Sequence, residues 1–260
     1  PQVHMTRKRG NMDISLYRDI VRQIAVLGID TLTLTGYGEP LIDPDFSTKL
    51  KIAEAHGLKV FFFTNAILLN KDLAEELLRN SSLIQINLSV GGSTFEEYCA
   101  ERKYKNVQTN LTAKRNIENL CALKRKKGSY TKINIQPVYP SDDIPKSLRI
   151  RKYWMNVGAD SVDGNIRHSF GNGHMGVVPG HYGYVPCKQL WDALMILWDG
   201  RVAMCCEDFN GRHILGDLRK ESLLSIIRGR KLTNLRGLHL KGKRTTIATC
   251  QQCDIFSFWY

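Results

Sequence analysis

The sequence predicts an α/β fold in which parallel strands form an open or partial barrel, followed by a small appendage built on a β-hairpin. Three observations carry that prediction. Short apolar runs alternate with helical periodicity through the first two thirds of the chain, the pattern of βαβ crossovers. Those runs end in glycine-rich or polar residues, as the carboxyl ends of parallel strands do where they face a ligand. In the last third, two apolar runs meet at Asp199-Gly200, a strong hairpin signal, and Cys187, Cys205, Cys250 and Cys253 are distributed around them.

In chain order, residues 1–10 read as a basic loop. Asp13 caps a helix reaching residue 27, with Leu16, Tyr17, Ile20, Val21, Ile24 and Leu27 on one face and Gly28 as its stop. A strand follows over 31–35 and ends in Gly36-Tyr37-Gly38-Glu39-Pro40-Leu41. The unit then repeats: helix 46–56 and strand 58–63, helix 71–79 and strand 83–90, helix 108–127 and strand 132–138, helix 144–156 and strand 159–162. The residues after these strands are where a site is expected: Gly36 to Pro40, Thr64-Asn65, Ser89 with Gly91-Gly92, and Gln136. In the appendage, a two-residue turn at Asp199-Gly200 would pair Leu197 with Val202 and Leu194 with Cys205.

At 260 residues and 43% hydrophobic, the chain can bury a proper core. No apolar run approaches the ~20 residues of a membrane span, and no signal-peptide pattern opens the chain. A cytoplasmic location with no membrane partner is expected. Seven cysteines without secretory marks argue for thiolate chemistry rather than a disulfide framework. The net charge of +12 favours anionic ligands. The basic residues are dispersed, which counts against nucleic acid, and Lys124-Arg125-Lys126-Lys127 suits the carboxyl end of a helix.

Cys250-x2-Cys253 can grip a metal from one turn, while Cys187 and Cys205 reach the same place through the hairpin. Structural zinc usually takes two short C-x2-C knuckles, and only one pair here is short. An iron-sulfur cluster accepts ligands from scattered segments. Zinc, a cluster and unligated thiols all remain open on spacing alone.

The pattern C-x12-G-x4-C with a distant C-x2-C resembles the SPASM/Twitch auxiliary-cluster module found behind the barrel of many radical S-adenosylmethionine (SAM) enzymes. Gly36-Tyr37-Gly38-Glu39-Pro40 resembles the Gly-Gly-Glu-Pro motif that this family uses to hold the SAM amino group. Thr64-Asn65-Ala66 is similar to its Thr-Asn-Gly turn, and Ile86 to Ser89 to its serine-bearing strand; Val90-Gly91 stands where an aspartate is usual. The resemblance implies a partial (β/α)6 TIM-like barrel, lacking its first strand, over residues 1–180, and a Twitch domain over 181–260. It further implies SAM contacts from Gly36, Tyr37, Gly38, Glu39, Pro40, Asn65, Ser89 and Arg102, and a 4Fe-4S auxiliary cluster on Cys187, Cys205, Cys250 and Cys253. The family's catalytic cluster motif, C-x3-C-x2-C, does not occur in the 260 residues. The opening Pro1-Gln-Val-His-Met-Thr-Arg-Lys-Arg-Gly-Asn-Met-Asp13 resembles the stretch directly after that motif in relatives, so a second 4Fe-4S cluster is expected on a preceding segment.

The chemistry so implied is hydrogen abstraction from a substrate carbon by a 5′-deoxyadenosyl radical, with reducing electrons from a flavodoxin or ferredoxin. Oxidation needs an electron exit through the auxiliary cluster. Epimerisation needs a hydrogen donor, for which Cys206 and Cys99 are the candidates. Cysteine spacing similar to an aminocyclitol dehydrogenase and sugar epimerases points to a sugar-like small molecule, with Arg167 and His168 as substrate contacts. Peptide maturation shares the module and is the alternative substrate class. A non-catalytic, metal-stapled redox or binding protein is the rival of a different kind.

Overall fold

The computed structural model describes residues 5–35, 37–90, 92, 97, 107–139, 144–163, 165–166, 186–251 and 253. Backbone packing divides the chain into two compact units, one of Gly28–Ile166 and one of Pro1–Leu27 together with Arg167–Tyr260. The first helix, α1 (Ile14–Val26), therefore groups with the C-terminal part rather than with the sheet that follows it.

The Gly28–Ile166 unit is a parallel sheet. Its strands β1 (Thr31–Leu34), β2 (Lys59–Thr64), β3 (Leu83–Val90), β4 (Lys132–Tyr139) and β5 (Ser161–Val162) lie side by side in sequence order, and β6 (Asn165–Ile166) also pairs with β4. Helices α2 (Phe46–Ala55), α3 (Lys71–Leu77), α4 (Val107–Lys127) and α5 (Ile144–Val157) connect them. Crossovers between parallel strands are right-handed. A sheet whose strands follow sequence order thus winds one way and gathers its helices on one face, as in a barrel wall.

That face is apolar. Val60, Phe62, Ile86, Leu88, Ile133 and Ile135 are fully buried on it, and the Phe46 ring of α2 meets Phe62 edge-on at 4.9 Å. The opposite face carries amides. Asn87 Oδ1 accepts from Gln85 Nε2 at 2.7 Å and from Asn134 Nδ2 at 3.0 Å, while Asn87 Nδ2 donates to the Phe62 carbonyl at 3.3 Å. The Ser161 hydroxyl continues the ladder by donating to Asn134 Oδ1 at 2.8 Å. Parallel sheets are ordinarily apolar on both faces, so a polar inner face marks the lumen side of the wall.

In the other unit, α1 buries the expected stripe of Leu16, Tyr17, Ile20, Val21 and Ile24, and Asp13 caps it by accepting from the Leu16 amide at 2.8 Å. The segment before it is tied to the C-terminal residues. The Thr6 amide donates to Asn210 Oδ1 at 2.8 Å, Arg7 Nε to the Phe209 carbonyl at 2.6 Å, and Trp198 Nε1 to the Lys8 carbonyl at 3.0 Å. A Cβ on Gly10 would stand 2.7 Å from the Trp198 ring, so only glycine fits there. Arg219 pairs with Asp13 at 2.7 Å, and the Leu223 amide donates to Gln23 Oε1 at 2.6 Å.

After α6 (Gln189–Asp192), three antiparallel strands follow in order: β7 (Met195–Ile196), β8 (Arg201–Ala203) and β9 (Ile214–Asp217). The hairpin register is Met195 with Ala203 and Ile196 with Val202, one residue away from the pairing expected for a two-residue turn. The cause is local. The Gly200 amide donates to the Leu197 carbonyl at 3.0 Å, Gly200 takes φ +91, and the Leu197 amide donates to the Arg201 carbonyl at 2.8 Å. Trp198, Asp199 and Gly200 thus form a three-residue loop with its last residue at positive φ. Helices α7 (Leu223–Arg228) and α8 (Arg230–Leu240), a 3₁₀ turn at Arg244–Thr246 and the short α9 (Ala248–Gln251) complete the unit. Among the described residues, no helix is long and apolar enough to cross a membrane.

Candidate functional site

Cys187, Cys205, Cys250 and Cys253 line one pocket together with Leu190, Met204, Glu207, His239 and Arg244, and the atom-free volume between them, its open mouth included, is ≈ 390 Å³. Each cysteine arrives by a separate local device. Cys187 lies two residues before α6, next to its N-cap Lys188. Cys205 follows β8 and leads into a turn that Asp208 holds, its carboxylate accepting from the amides of Arg212 at 2.8 Å and His213 at 2.7 Å. Asp208 is buried, so this carboxylate fixes the turn from inside. Cys250 lies in α9, and the Cys253 amide donates back to its carbonyl at 3.4 Å, closing the C-x2-C turn.

Without a metal, burial holds these sulfurs as neutral thiols. Burial raises the pKa of Cys250 to about 12, with Cys253 and Cys187 adding to the effect. Burial likewise holds Cys205 well above the usual thiol range and raises Cys187. Against that cost stand N–H donors: the Gln189 amide on Cys187, and the amides of Glu207 and Asp208 on Cys205. His239 is buried, and Cys250 Sγ lies 3.6 Å from its Nε2. Burial first, and Arg244 second, bring the His239 pKa down to about 4. Donors arrayed on buried sulfur favour the metal-bound thiolate.

Four thiols that reach one pocket from separate segments suit an iron-sulfur cluster, which accepts ligands from scattered parts of a chain.

The second cluster of candidate residues lies at the carboxyl ends of β1, β2 and β3. Tyr37, Gly38 and Glu39 lead into a 3₁₀ turn at Pro40–Ile42. Glu39 staples this loop to the end of β2: Oε1 accepts from Thr64 Oγ1 at 2.6 Å and from the Leu41 amide at 3.2 Å, and Oε2 from the Asn65 amide at 2.8 Å. Asn65 Oδ1 in turn accepts from the Ile67 amide at 2.9 Å. Ala66 adopts φ +62, the left-handed conformation that glycine would take more easily, and Asn116 Nδ2 holds its carbonyl at 2.8 Å. Gly38 has nothing within 4 Å of where a Cβ would stand, so bare backbone faces open space. Ser89 is half-buried on β3, in register with Gln136. The loop thus leaves its backbone open at Gly38, while the Glu39 carboxylate is engaged by Thr64, Asn65 and Leu41.

Cys206 donates from Sγ toward Glu207 Oε1 at 3.8 Å, and burial first, then Glu207, raises its pKa to about 12. Gly36, Cys99, Arg102, Arg167 and His168 lie outside the described residues. Sequence reading missed Asn87, Asn134, Asp208 and His239. For the two asparagines a signal exists: Ile86-Asn87-Leu88 and Ile133-Asn134-Ile135 place a polar residue at the same point of two apolar strands.

The family model described as the radical SAM superfamily matches residues 2–150, and that of SPASM, described as an iron-sulfur cluster-binding domain, matches residues 187–254. The chain belongs to the radical SAM superfamily. SAM and 4Fe-4S clusters are accordingly its cofactors. This radical SAM protein is 29% identical over 116 residues to mycofactocin maturase MftC of Mycobacterium ulcerans (strain Agy99), a match spanning 45% of this chain and 30% of that protein. Among solved structures, BtrN in complex with AdoMet and 2-DOIA superposes with a TM-score of 0.63 at 16% identity, over 98% of this chain and 85% of BtrN. Streptococcus suis SuiB bound to precursor peptide SuiA gives 0.66 at 13%, over 96% of this chain and 64% of SuiB. The anSMEcpe structure with AdoMet and Cp18Cys peptide gives 0.66 at 14%, over 89% and 76%. At these identities the likeness is one of fold.

Proposed function

We propose that this radical SAM protein oxidises a carbon of a sugar-like or aminocyclitol-like small molecule, with the four-cysteine pocket as the electron exit. Bound SAM would supply, on reductive cleavage, a 5′-deoxyadenosyl radical for removal of one hydrogen atom, after which the substrate would lose a proton and pass one electron to the cluster held by the four cysteines. In this reading the backbone at Gly36, Tyr37, Gly38 and Pro40 and the groups of Asn65, Ser89 and Arg102 orient SAM, while Glu39 fixes the loop. Arg167 and His168 are assigned to the substrate. Cys187, Cys205, Cys250 and Cys253 hold the auxiliary 4Fe-4S cluster.

The observation that carries the reading is the convergence of the half-buried Cys187 and the buried Cys205, Cys250 and Cys253 on one pocket, with N–H donors on the sulfurs of Cys187 and Cys205. With four protein ligands such a cluster has no open iron site and serves electron transfer. The small-molecule assignment is supported by the match over 85% of BtrN, whose structure carries 2-DOIA. The amide ladder of Gln85, Asn87 and Asn134 makes the sheet's inner face polar, which suits a hydroxyl-bearing ligand better than an apolar one. Peptide maturation is the second reading, favoured by the likeness to MftC and by the peptides bound in SuiB and anSMEcpe.

The test uses anaerobically purified protein that carries a C-x3-C-x2-C cluster segment, with SAM, a reductant, and deuterated aminocyclitols or candidate peptides. Deuterium appearing in 5′-deoxyadenosine from an aminocyclitol supports the proposal; transfer only from a peptide assigns the second reading. Filled clusters with no 5′-deoxyadenosine leave a metal-stapled redox or binding protein. Cys206→Ala and Cys99→Ala, singly and together, separate oxidation from epimerisation. Oxidation retains product formation to within a few-fold, whereas a thiol hydrogen donor would be indispensable to epimerisation.

A further inference from the structure

We propose that His239 is a positioning residue of the auxiliary centre: it donates a hydrogen bond from Nε2 to the Cys250 sulfur and so raises the potential at which the cluster accepts an electron. This rests on reading the four-cysteine pocket as a cluster site.

The direction of the bond follows from the other side of the ring. The Cys187 amide donates to His239 Nδ1 at 3.2 Å. A nitrogen that accepts carries no proton, so the single proton of the neutral imidazole sits on Nε2. Nε2 lies 3.6 Å from Cys250 Sγ, within reach of an N–H···S bond. The ring is only 2% exposed, which keeps water from competing for either nitrogen. Its helix is also indexed to the segment that bears Cys187: Arg236 Nε, one turn earlier on α8, donates to the Leu190 carbonyl at 2.9 Å. One imidazole therefore reads the backbone of one ligand and touches the sulfur of another. Reduction adds negative charge to a cluster and its thiolates. A donor aimed at sulfur stabilises that reduced state more than the oxidised one, and the potential rises. The donors on Cys187 and Cys205 are main-chain amides; His239 supplies its donor from a side chain and can be replaced.

The experiment uses the 260-residue chain, reconstituted without oxygen with iron and sulfide, as wild type, His239→Gln and His239→Leu. Iron and sulfide content checks loading, and a redox titration followed by electron paramagnetic resonance gives the midpoint potential. Equal loading is expected, with the Leu variant shifted to more negative potential and the Gln variant, which keeps an N–H donor, between it and wild type. In wild type labelled with ¹⁵N-histidine, the reduced cluster should show a weak nitrogen coupling that disappears in His239→Gln. Unchanged potentials at full loading overturn the proposal. So does the absence of nitrogen coupling, the deciding measurement if the Leu variant loses its cluster. A strong coupling, as from nitrogen bonded directly to iron, overturns it by making His239 a ligand. A wild type that takes up no iron removes the cluster reading itself.

Discussion

At the scale of single residues, one carboxylate joins two strand ends. Glu39 receives donors from Thr64, Asn65 and Leu41, so the loop after β1 and the turn after β2 move as one piece. Glu39→Gln keeps one acceptor but turns an NH₂ toward groups that themselves donate. Leaving such donors unsatisfied costs about 1–3 kcal/mol; urea unfolding of the variant should show a loss in that range, with SAM affinity weakened alongside. Asp13 makes a second residue-scale prediction. The Ser15 hydroxyl, the Leu16 amide and Arg219 hold its carboxyl below the usual carboxylate range. A carboxyl whose folded-state pKa lies below its unfolded one adds stability above the unfolded value and loses it as pH falls. Asp13→Asn keeps the helix cap but not the charge. The stability gap between wild type and Asp13→Asn should therefore be widest near neutrality and close as pH drops below about 4; thermal unfolding over pH 2–8 tests this, and a gap independent of pH would refute it.

Elements show where sequence reasoning carries and where it stops. The periodicity of residues 14–27 located α1 and its buried face, and the apolar runs located β1 to β4, because burial of one face is written along each segment. The hairpin register was not legible in the same way. Asp199-Gly200 suits a two-residue turn, yet the loop closes between Leu197 and Arg201 with Gly200 at φ +91, and β9 pairs with β8 from beyond the cysteine turn. Gly200→Ala should cost about 1–2 kcal/mol from backbone strain, with Leu16 Cδ2 only 3.2 Å from the new methyl; the check is a lowered melting temperature. On the sheet, Asn87→Leu strips the ladder of its central acceptor and leaves Gln85 and Asn134 donors stranded. A loss of about 2 kcal/mol is expected from denaturant unfolding. Alternation along β3 and β4 reveals the polar face, but only the Asn87–Asn134 bond shows that its amides are linked across strands.

For the whole molecule, the site was half visible. Four cysteines and the Gly36–Pro40 motif stand out because metal ligation and close backbone approach to a ligand constrain residue type and spacing within short stretches. His239 and Asp208 do not, since a lone histidine on a helix and an aspartate in a turn look the same whether they serve sulfur or solvent. The packing of residues 1–27 with the C-terminal part was equally invisible, being made by contacts between opposite ends of the sequence. Those contacts make a prediction of their own. Ligand binding stabilises the unit that holds the ligand, so loading the four-cysteine site should slow hydrogen exchange in residues 5–27 and 186–251 more than in 37–90 and 107–139. Exchange mass spectrometry of apo and loaded protein reads this directly.

The tie between α1 and the C-terminal residues also sets a timetable. The Gln23 side chain waits for the Leu223 amide, 200 residues later. At roughly 5–20 residues synthesised per second, α1 leaves the ribosome on the order of 10–40 s before its partner exists. During that interval the strand pairings of the Gly28–Ile166 unit can form, while the bonds that tie Asp13 to Arg219 and Gln23 to Leu223 cannot. A helix that precedes the sheet in the chain is thus fastened only after the sheet exists.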